Sequence, residues 1–170
     1  MKRVIVTPNP YRDRGFQTVR SVLDVLRKAG IEARLCLPFE VDRSYELPHD
    51  LRFSRLEREL PAAEGIVCLG GDGTILHMAK TATRNDLPLL GVNIGSMGFM
   101  AELESTEVSQ LARLASGDYT IDPRMMLDVT VRRAGETIYH DVCLNDVVIT
   151  KGTIARIIRC LLYTSPSPRD

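Results

Sequence analysis

The chain has 170 residues and a mass of 19.0 kDa, the size of one ordinary domain or of one domain plus part of a second. Its 22 Lys+Arg are balanced by 22 Asp+Glu, a formal net charge of zero, which removes the basic footprint of a general nucleic-acid binder. Hydrophobic residues at 44% suffice for a buried core and charged residues at 26% suit a water-facing surface, while no apolar run approaches the roughly 20 residues of a membrane helix.

The opening Arg3-Val4-Ile5-Val6 predicts a short buried strand ending at Pro8, and the segment breaks too early for a signal peptide. Val19, Val22, Leu23 and Leu26 then fall at i, i+3, i+4 and i+7, a helical stripe that Gly30 stops. Residues 31–37 resume a strand alternation, 38–50 read as polar loop, and a short helix is expected around 51–60. Gly65-Ile66-Val67-Cys68-Leu69 is a continuous apolar run, as expected of a strand buried on both faces. A helix over 74–83, a strand over 87–93 and a helix over 106–115, with Gly117 beyond its end, complete the pattern. Strands alternating with helices predict an α/β fold, a parallel sheet with helices on both faces.

After Asp122-Pro123 the pattern changes. Leu127, Val129 and Val131 alternate with Asp128, Thr130 and Arg132, Ala134-Gly135-Glu136 supplies a turn, and 138–149 returns as a second strand. This predicts the start of an antiparallel β region, with a domain boundary near residue 121. Cysteines at 36, 68, 143 and 160 form no Cys-x-x-Cys pair, and His49, His77 and His140 show no ligand spacing. Reduced, mostly buried thiols and no metal site among protein side chains are expected.

The strongest local signal is Gly70-Gly71-Asp72-Gly73-Thr74, between a buried strand and a helix. Three glycines allow positive φ and leave no Cβ in the way of a phosphate, and the helix that follows aims free N–H groups and its positive end at the same point. The spacing is neither the Gly-x-x-x-x-Gly-Lys-Ser/Thr phosphate loop nor the Gly-x-Gly-x-x-Gly of dinucleotide dehydrogenases. Asp72 stands among these glycines at the carboxyl edge of the sheet, where open α/β sheets bind ligands. It suits a general base toward a sugar hydroxyl, because phosphoryl transfer demands position more than basicity; capping the helix or shaping the turn is the alternative.

A second cluster, Asn93-Ile94-Gly95-Ser96-Met97-Gly98-Phe99-Met100, follows the next strand, and Phe99 offers a flat face to an adenine or a side chain to the core. A third, Asn145-Asp146, interrupts the apolar run 142–149, so that one of the two faces a ligand or the core unless the pair merely ends the strand.

In this order and spacing the clusters resemble the NAD kinase family, through Gly70–Thr74, Asn93–Met100, Arg124-Met125-Met126-Leu127 and Leu144-Asn145-Asp146-Val147-Val148-Ile149, over roughly residues 1–158. The resemblance implies phosphorylation of the 2′-hydroxyl of the adenosine ribose of NAD, giving NADP, with ATP and a divalent metal, Mg expected. It implies a Rossmann-like first domain, a β-sandwich second domain, a homodimer or homotetramer, and a cytoplasmic location. By position, Asp72 corresponds to the proton acceptor with Gly73 beside it, Asn145 and Asp146 to the pair that holds NAD, and Phe99 to the aromatic near the adenine. Arg156 and His77 fall where a basic NAD-contacting residue is frequent; a solvated strand arginine and an ordinary helix histidine are the plainer readings. Whether ATP or polyphosphate is the donor, and whether NADH is also accepted, stays open.

Lipid kinases of the diacylglycerol and sphingosine class share the glycine loop, but resemble Pro-x-Gly-Thr-x-Asn where this chain has Asn93-Ile94-Gly95-Ser96-Met97-Gly98-Phe99. A non-catalytic nucleotide-binding module is the further alternative. The family continues into a longer sandwich with an Asp-Gly and a Thr/Ser/Gly-rich run ending in Ala-Tyr, whereas this chain closes on Cys160-Leu161-Leu162-Tyr163-Thr164-Ser165-Pro166-Ser167-Pro168-Arg169-Asp170. Prolines alternating with serines do not continue a sheet ladder. The expected organisation is therefore a nucleotide-binding domain over 1–121, the first strands of an incomplete sandwich over 122–159, and a non-native or disordered tail over 160–170. Such a chain is expected to fold its first domain, leave Val142, Leu144, Val147 and Ile149 uncovered, and show little or no kinase activity.

Overall fold

The computed structural model describes residues 1–148 apart from Arg43, Ser96 and Met97. Six parallel strands form one sheet: β1 (Arg3–Pro8), β2 (Glu32–Cys36), β3 (Phe53–Ser54), β4 (Ile66–Gly70), β5 (Leu89–Asn93) and β6 (Leu103–Glu104). Their spatial order is β3-β2-β1-β4-β5-β6, the doubly wound arrangement whose strand order reverses between β1 and β4. Helices α1 (Gln17–Lys28), α2 (Leu56–Glu59), α3 (Asp72–Arg84) and α4 (Arg113–Ser116) connect them, with 3-10 segments at Arg14–Phe16, Leu60–Ala62 and Ser105–Ala112.

The period-2 pleat sorts the apolar side chains into two cores. Val4, Val6, Leu35, Val67, Leu69 and Val92 face one way and meet Val19, Val22 and Leu26 of α1 with Val108 and Leu111. Ile5, Cys36, Ile66 and Cys68 face the other way and meet Ile75, Met78 and Ala82 of α3. Helices on both faces, as the alternation predicts, follow from strands that are apolar on both sides. Asp13, buried before α1, satisfies its first turn by accepting from the Thr18 and Val19 amides at 3.1 and 2.9 Å.

Two local expectations are corrected. The stretch 51–60 is not one helix: β3 precedes a single turn of helix, because the Phe53 ring docks edge-on against Phe16 with centroids 5.8 Å apart. Two-residue strands such as β3 and β6 are too short to carry a period. The helix expected over 106–115 is mainly 3-10, opened by a reciprocal cap in which the Glu104 amide donates to Glu107 at 2.9 Å.

Strands β7 (Leu127–Arg133) and β8 (Glu136–Cys143) pair antiparallel. Ala134 and Gly135, at φ 51° and 87°, make the doubly left-handed two-residue turn that hairpins favour. β8 ends at Cys143, not at 149, and residues 144 and 145 bend away. Val131, Ile138, Tyr139, Val147 and Val148 are exposed on this ribbon and after it, Val142 and Leu144 half-buried. Ile149, Arg156 and the whole 160–170 segment lie outside the described residues.

One carboxylate ties the ribbon to the first sheet. Asp141 of β8 pairs with Lys80 of α3, accepts from the Tyr139 hydroxyl and the Val142 amide at 2.9 Å each, and lies 3.6 Å from Arg84. Lys80 foremost, then these two donors, hold its carboxyl well below the ordinary range. No helix among the described residues is long and apolar enough to cross a membrane.

Candidate active site

The glycine loop is the hand-over from β4 to α3: Gly70 ends the strand and Asp72 opens the helix. None of Gly70, Gly71 and Gly73 is left-handed, contrary to the freedom of φ expected from them; Gly71, for instance, sits at φ −106°, ψ −174°. What the loop uses is the missing Cβ. A methyl group on Gly70 would lie 2.4 Å from Oγ1 of the buried Thr74, so Gly70 lets the helix start directly on the strand. Methyl groups on Gly71 and Gly73 would meet nothing within 4 Å, so space stands open above both. Amides at the positive end of α3 border that space.

Asp72 does not cap its own helix; the cap position is Gly71, with no side-chain bond. Its carboxylate reaches across to the second cluster instead, accepting the Phe99 amide on Oδ2 at 3.1 Å and the Met100 amide on Oδ1 at 3.2 Å. Ile94 donates its amide to the Gly70 carbonyl at 3.0 Å, so the two loops are bonded at both ends. Each carboxylate oxygen, with about two lone pairs, keeps one for a ligand. Gly91 completes the approach: a Cβ there would stand 2.5 Å from the Ile75 Cδ1 and 3.0 Å from the Ala101 Cα.

A cleft of about 1090 Å³ opens beside Asp72. Asp72, Leu76, Phe99, Met100, Leu144 and Asn145 line it, as do Arg124, Met125 and Met126. Four segments that are dispersed in sequence thus border one space. Phe99 is 98% exposed, so it is a ring offered outward and not a core residue. Asp146 is exposed beside Asn145 but is not among the lining residues. The pair follows the strand instead of interrupting it, which is where the reading of a polar break inside 142–149 fails. His77, exposed on α3, is not among the lining residues and packs edge-on against Phe39, centroids 5.7 Å apart.

Among the described residues no three His, Cys, Asp or Glu side chains converge as metal ligands. A Mg ion carried on nucleotide phosphates keeps most of its water and needs only one or two carboxylates, a demand that the open space beside Asp72 fits.

Sequence reasoning missed Asn9, and it placed Gly98 in the second cluster without its contact to Asp72. Asn9, at the end of β1, donates from Nδ2 to the Thr74 hydroxyl at 2.9 Å and pins the β1 loop to the glycine loop. Gly98 leaves room for the Asp72 carboxylate. An Asn-Pro step directly after the first strand was the available signal for Asn9; the closeness of 98 to 72 had none.

The family model described as the ATP-NAD kinase N-terminal domain matches residues 5–119. The NAD kinase of Acetivibrio thermocellus is 33% identical over 171 residues, covering 100% of this chain and 58% of that protein. The NAD kinase of Natranaerobius thermophilus is 54% identical over 97 residues, 56% of this chain and 34% of its own. The chain thus spans little more than half the length of the relatives it matches throughout. A crystal structure of yeast NADH kinase complexed with NADH superposes with a TM-score of 0.66 at 18% identity, over 85% of this chain and 47% of that one, which is a likeness of fold. The model match covers most of the chain and includes both the glycine loop and the second cluster, so the chain belongs to the NAD kinase family.

Proposed function

We propose that this chain carries the central part of an ATP-dependent NAD kinase site, in which the 2′-hydroxyl of the adenosine ribose of NAD accepts the γ-phosphoryl group to give NADP. The observation that carries the reading is the shared cleft: Asp72, Phe99 and Asn145 border one space next to an open glycine loop. The ribose oxygen attacks the γ-phosphorus, the bond from that phosphorus to the oxygen it shares with the β-phosphate breaks, ADP leaves, and the hydroxyl proton passes to Asp72. With a loose transition state the proton leaves late, so a well-placed carboxylate of ordinary basicity serves. The Phe99 and Met100 amides hold that carboxylate in place. Asn145, with Asp146 beside it, holds NAD through its hydroxyl and amide groups, and Phe99 packs on the adenine. A Mg ion carried on the donor's phosphates beside Asp72 would neutralise the charge that builds up there.

Residues 1–121 form the nucleotide-binding unit in this reading and 122 onward begins the second, with a homodimer or homotetramer in the cytoplasm as the working form. Kinetics of the Asp72→Asn change separate proton acceptor from turn-former. Made in a complete family member, the change should leave NAD affinity within a few-fold and abolish most turnover. Equal losses in both would show that Asp72 only shapes the loop. Unchanged turnover would show that Asp72 is not the proton acceptor.

A further inference from the structure

Asp72 and Asn145 border one cleft from different elements: Asp72 opens α3, and Asn145 follows β8 of the ribbon. Little holds these two elements together. A two-stranded ribbon is marginal by itself, and Val131 and Ile138 are exposed on this one. Its packing against the first sheet runs from β8 to α3. Among the described residues, every hydrogen bond and ion pair between the ribbon and residues 1–126 passes through one carboxylate, that of Asp141. It pairs with Lys80 and lies 3.6 Å from Arg84, while the Tyr139 hydroxyl and the Val142 amide orient it, each donating at 2.9 Å. The Asp141 side chain is only 19% exposed and that of Lys80 38%. Neither residue lines the cleft.

The pair stands at similar reach from both functional side chains. Lys80 lies beyond Asp72 on the same helix, about 12 Å along its axis. Asp141 precedes Asn145 in the chain by at most about 14 Å of extended backbone. A rigid helix on one side and a short length of strand on the other therefore carry the Lys80–Asp141 contact to the cleft. Lys80 and Arg84, one helical turn apart, would repel each other without a carboxylate between them, so this point on α3 is where an acid of the ribbon settles. We propose that Asp141 is a positioning residue for NAD: it touches no nucleotide, but its pairing with Lys80 fixes Asn145 relative to Asp72. The proposal rests on the acceptor-side reading above and places a determinant of NAD affinity outside the cleft.

Backbone NMR relaxation of the 170-residue chain, with and without NAD, and calorimetric titration with NAD test this. In the unsubstituted chain, residues 127–145 should tumble with the first sheet. Asp141→Asn and Lys80→Met should free them on the nanosecond scale, with order parameters below about 0.6 while β1, β4 and β5 stay near about 0.85. Lys80→Met, on the more exposed partner, keeps the comparison available if Asp141→Asn disturbs the sheet. NAD should bind both variants about fivefold more weakly, the loss expected when the paired arrangement falls to about a fifth of the population. Saturating NAD should bring the ribbon back to order in both, which a residue that only stabilises the fold would not produce. Lys80→Arg, which still pairs the carboxylate, should keep affinity and order. Unchanged NAD affinity in both variants, a ribbon that stays ordered in both, or NAD that binds them without restoring order would each overturn the proposal. An unsubstituted chain whose ribbon is ordered by the pair but which binds no NAD would instead defeat the acceptor-side reading and leave the latch standing.

Discussion

The Asp72 carboxylate occupies the space that a side chain on Gly98 would need: a methyl group there would lie 2.5 Å from Oδ1 and 3.3 Å from Cγ. The acid of one loop is therefore housed by the missing side chain of the other. Because Phe99 and Met100 donate to the same carboxylate, Gly98→Ala displaces Asp72 or strains residues 98–100. Overpacking of this kind costs about 1–3 kcal/mol. The variant should lose most of its NAD affinity, about tenfold for each 1.4 kcal/mol, while its melting temperature falls only modestly. Titration calorimetry with NAD beside a thermal melt checks this, and an unchanged affinity would count against the clamp.

Gly91 predicts a compensated pair. A Cβ at 91 would be 2.5 Å from the Ile75 Cδ1, 3.2 Å from its Cγ1 and 3.0 Å from the backbone of Ala101. Gly91→Ala should destabilise the chain by about 1–3 kcal/mol. Adding Ile75→Val, which removes the Cδ1, should restore part of the loss and not all of it, since Ala101 stays close. A double-mutant cycle in urea reads the coupling, and additive effects would contradict the contact.

Acid should loosen the hold of α3 on the ribbon. The Asp141 carboxyl is held below its ordinary value, first by Lys80 and then by Val142 and Tyr139. A depressed carboxyl stabilises the fold above its unfolded value near pH 4 and loses that contribution as pH falls toward the folded one. Asp141→Asn should therefore lower the melting temperature at pH 7 and approach the parent below about pH 4. A constant difference from pH 7 to pH 3 would rule out this linkage.

Burial makes two thiols inert. It pushes Cys68 up to about 12 and Cys36 up to about 11, the acidic Glu59 adding to the effect at Cys36. Iodoacetamide at pH 8 should leave both unmodified in the folded chain and reach half-buried Cys143, with all three labelled in denaturant. Rapid native labelling of Cys68 would place the β4 core wrongly.

The sheet was legible because buried parallel strands announce themselves by unbroken apolar runs, as Ile66-Val67-Cys68-Leu69 does. β3 and β6, two residues each, were not, since their pairing is imposed by Phe53 and by the neighbouring strand and not by any period. The glycine loop was legible in place but not in manner: its glycines serve close approach and open space, not left-handed backbone. Asn145 was found at the cleft, while the reason given, a polar break inside a strand, fails because β8 has already ended. The bonds from Asp72 to Phe99 and Met100 join residues 27 and 28 positions apart, and nothing local in the sequence encodes such a contact.

A crystal structure with NAD bound tests the central claim most directly. The account predicts an Asp72 oxygen within about 3.2 Å of the 2′-hydroxyl of the adenosine ribose, the Phe99 ring against the adenine, and Asn145 on the dinucleotide. A dinucleotide lying outside the cleft, or an Asp72 carboxylate turned from the ribose and bonded only to residues 99 and 100, would contradict it.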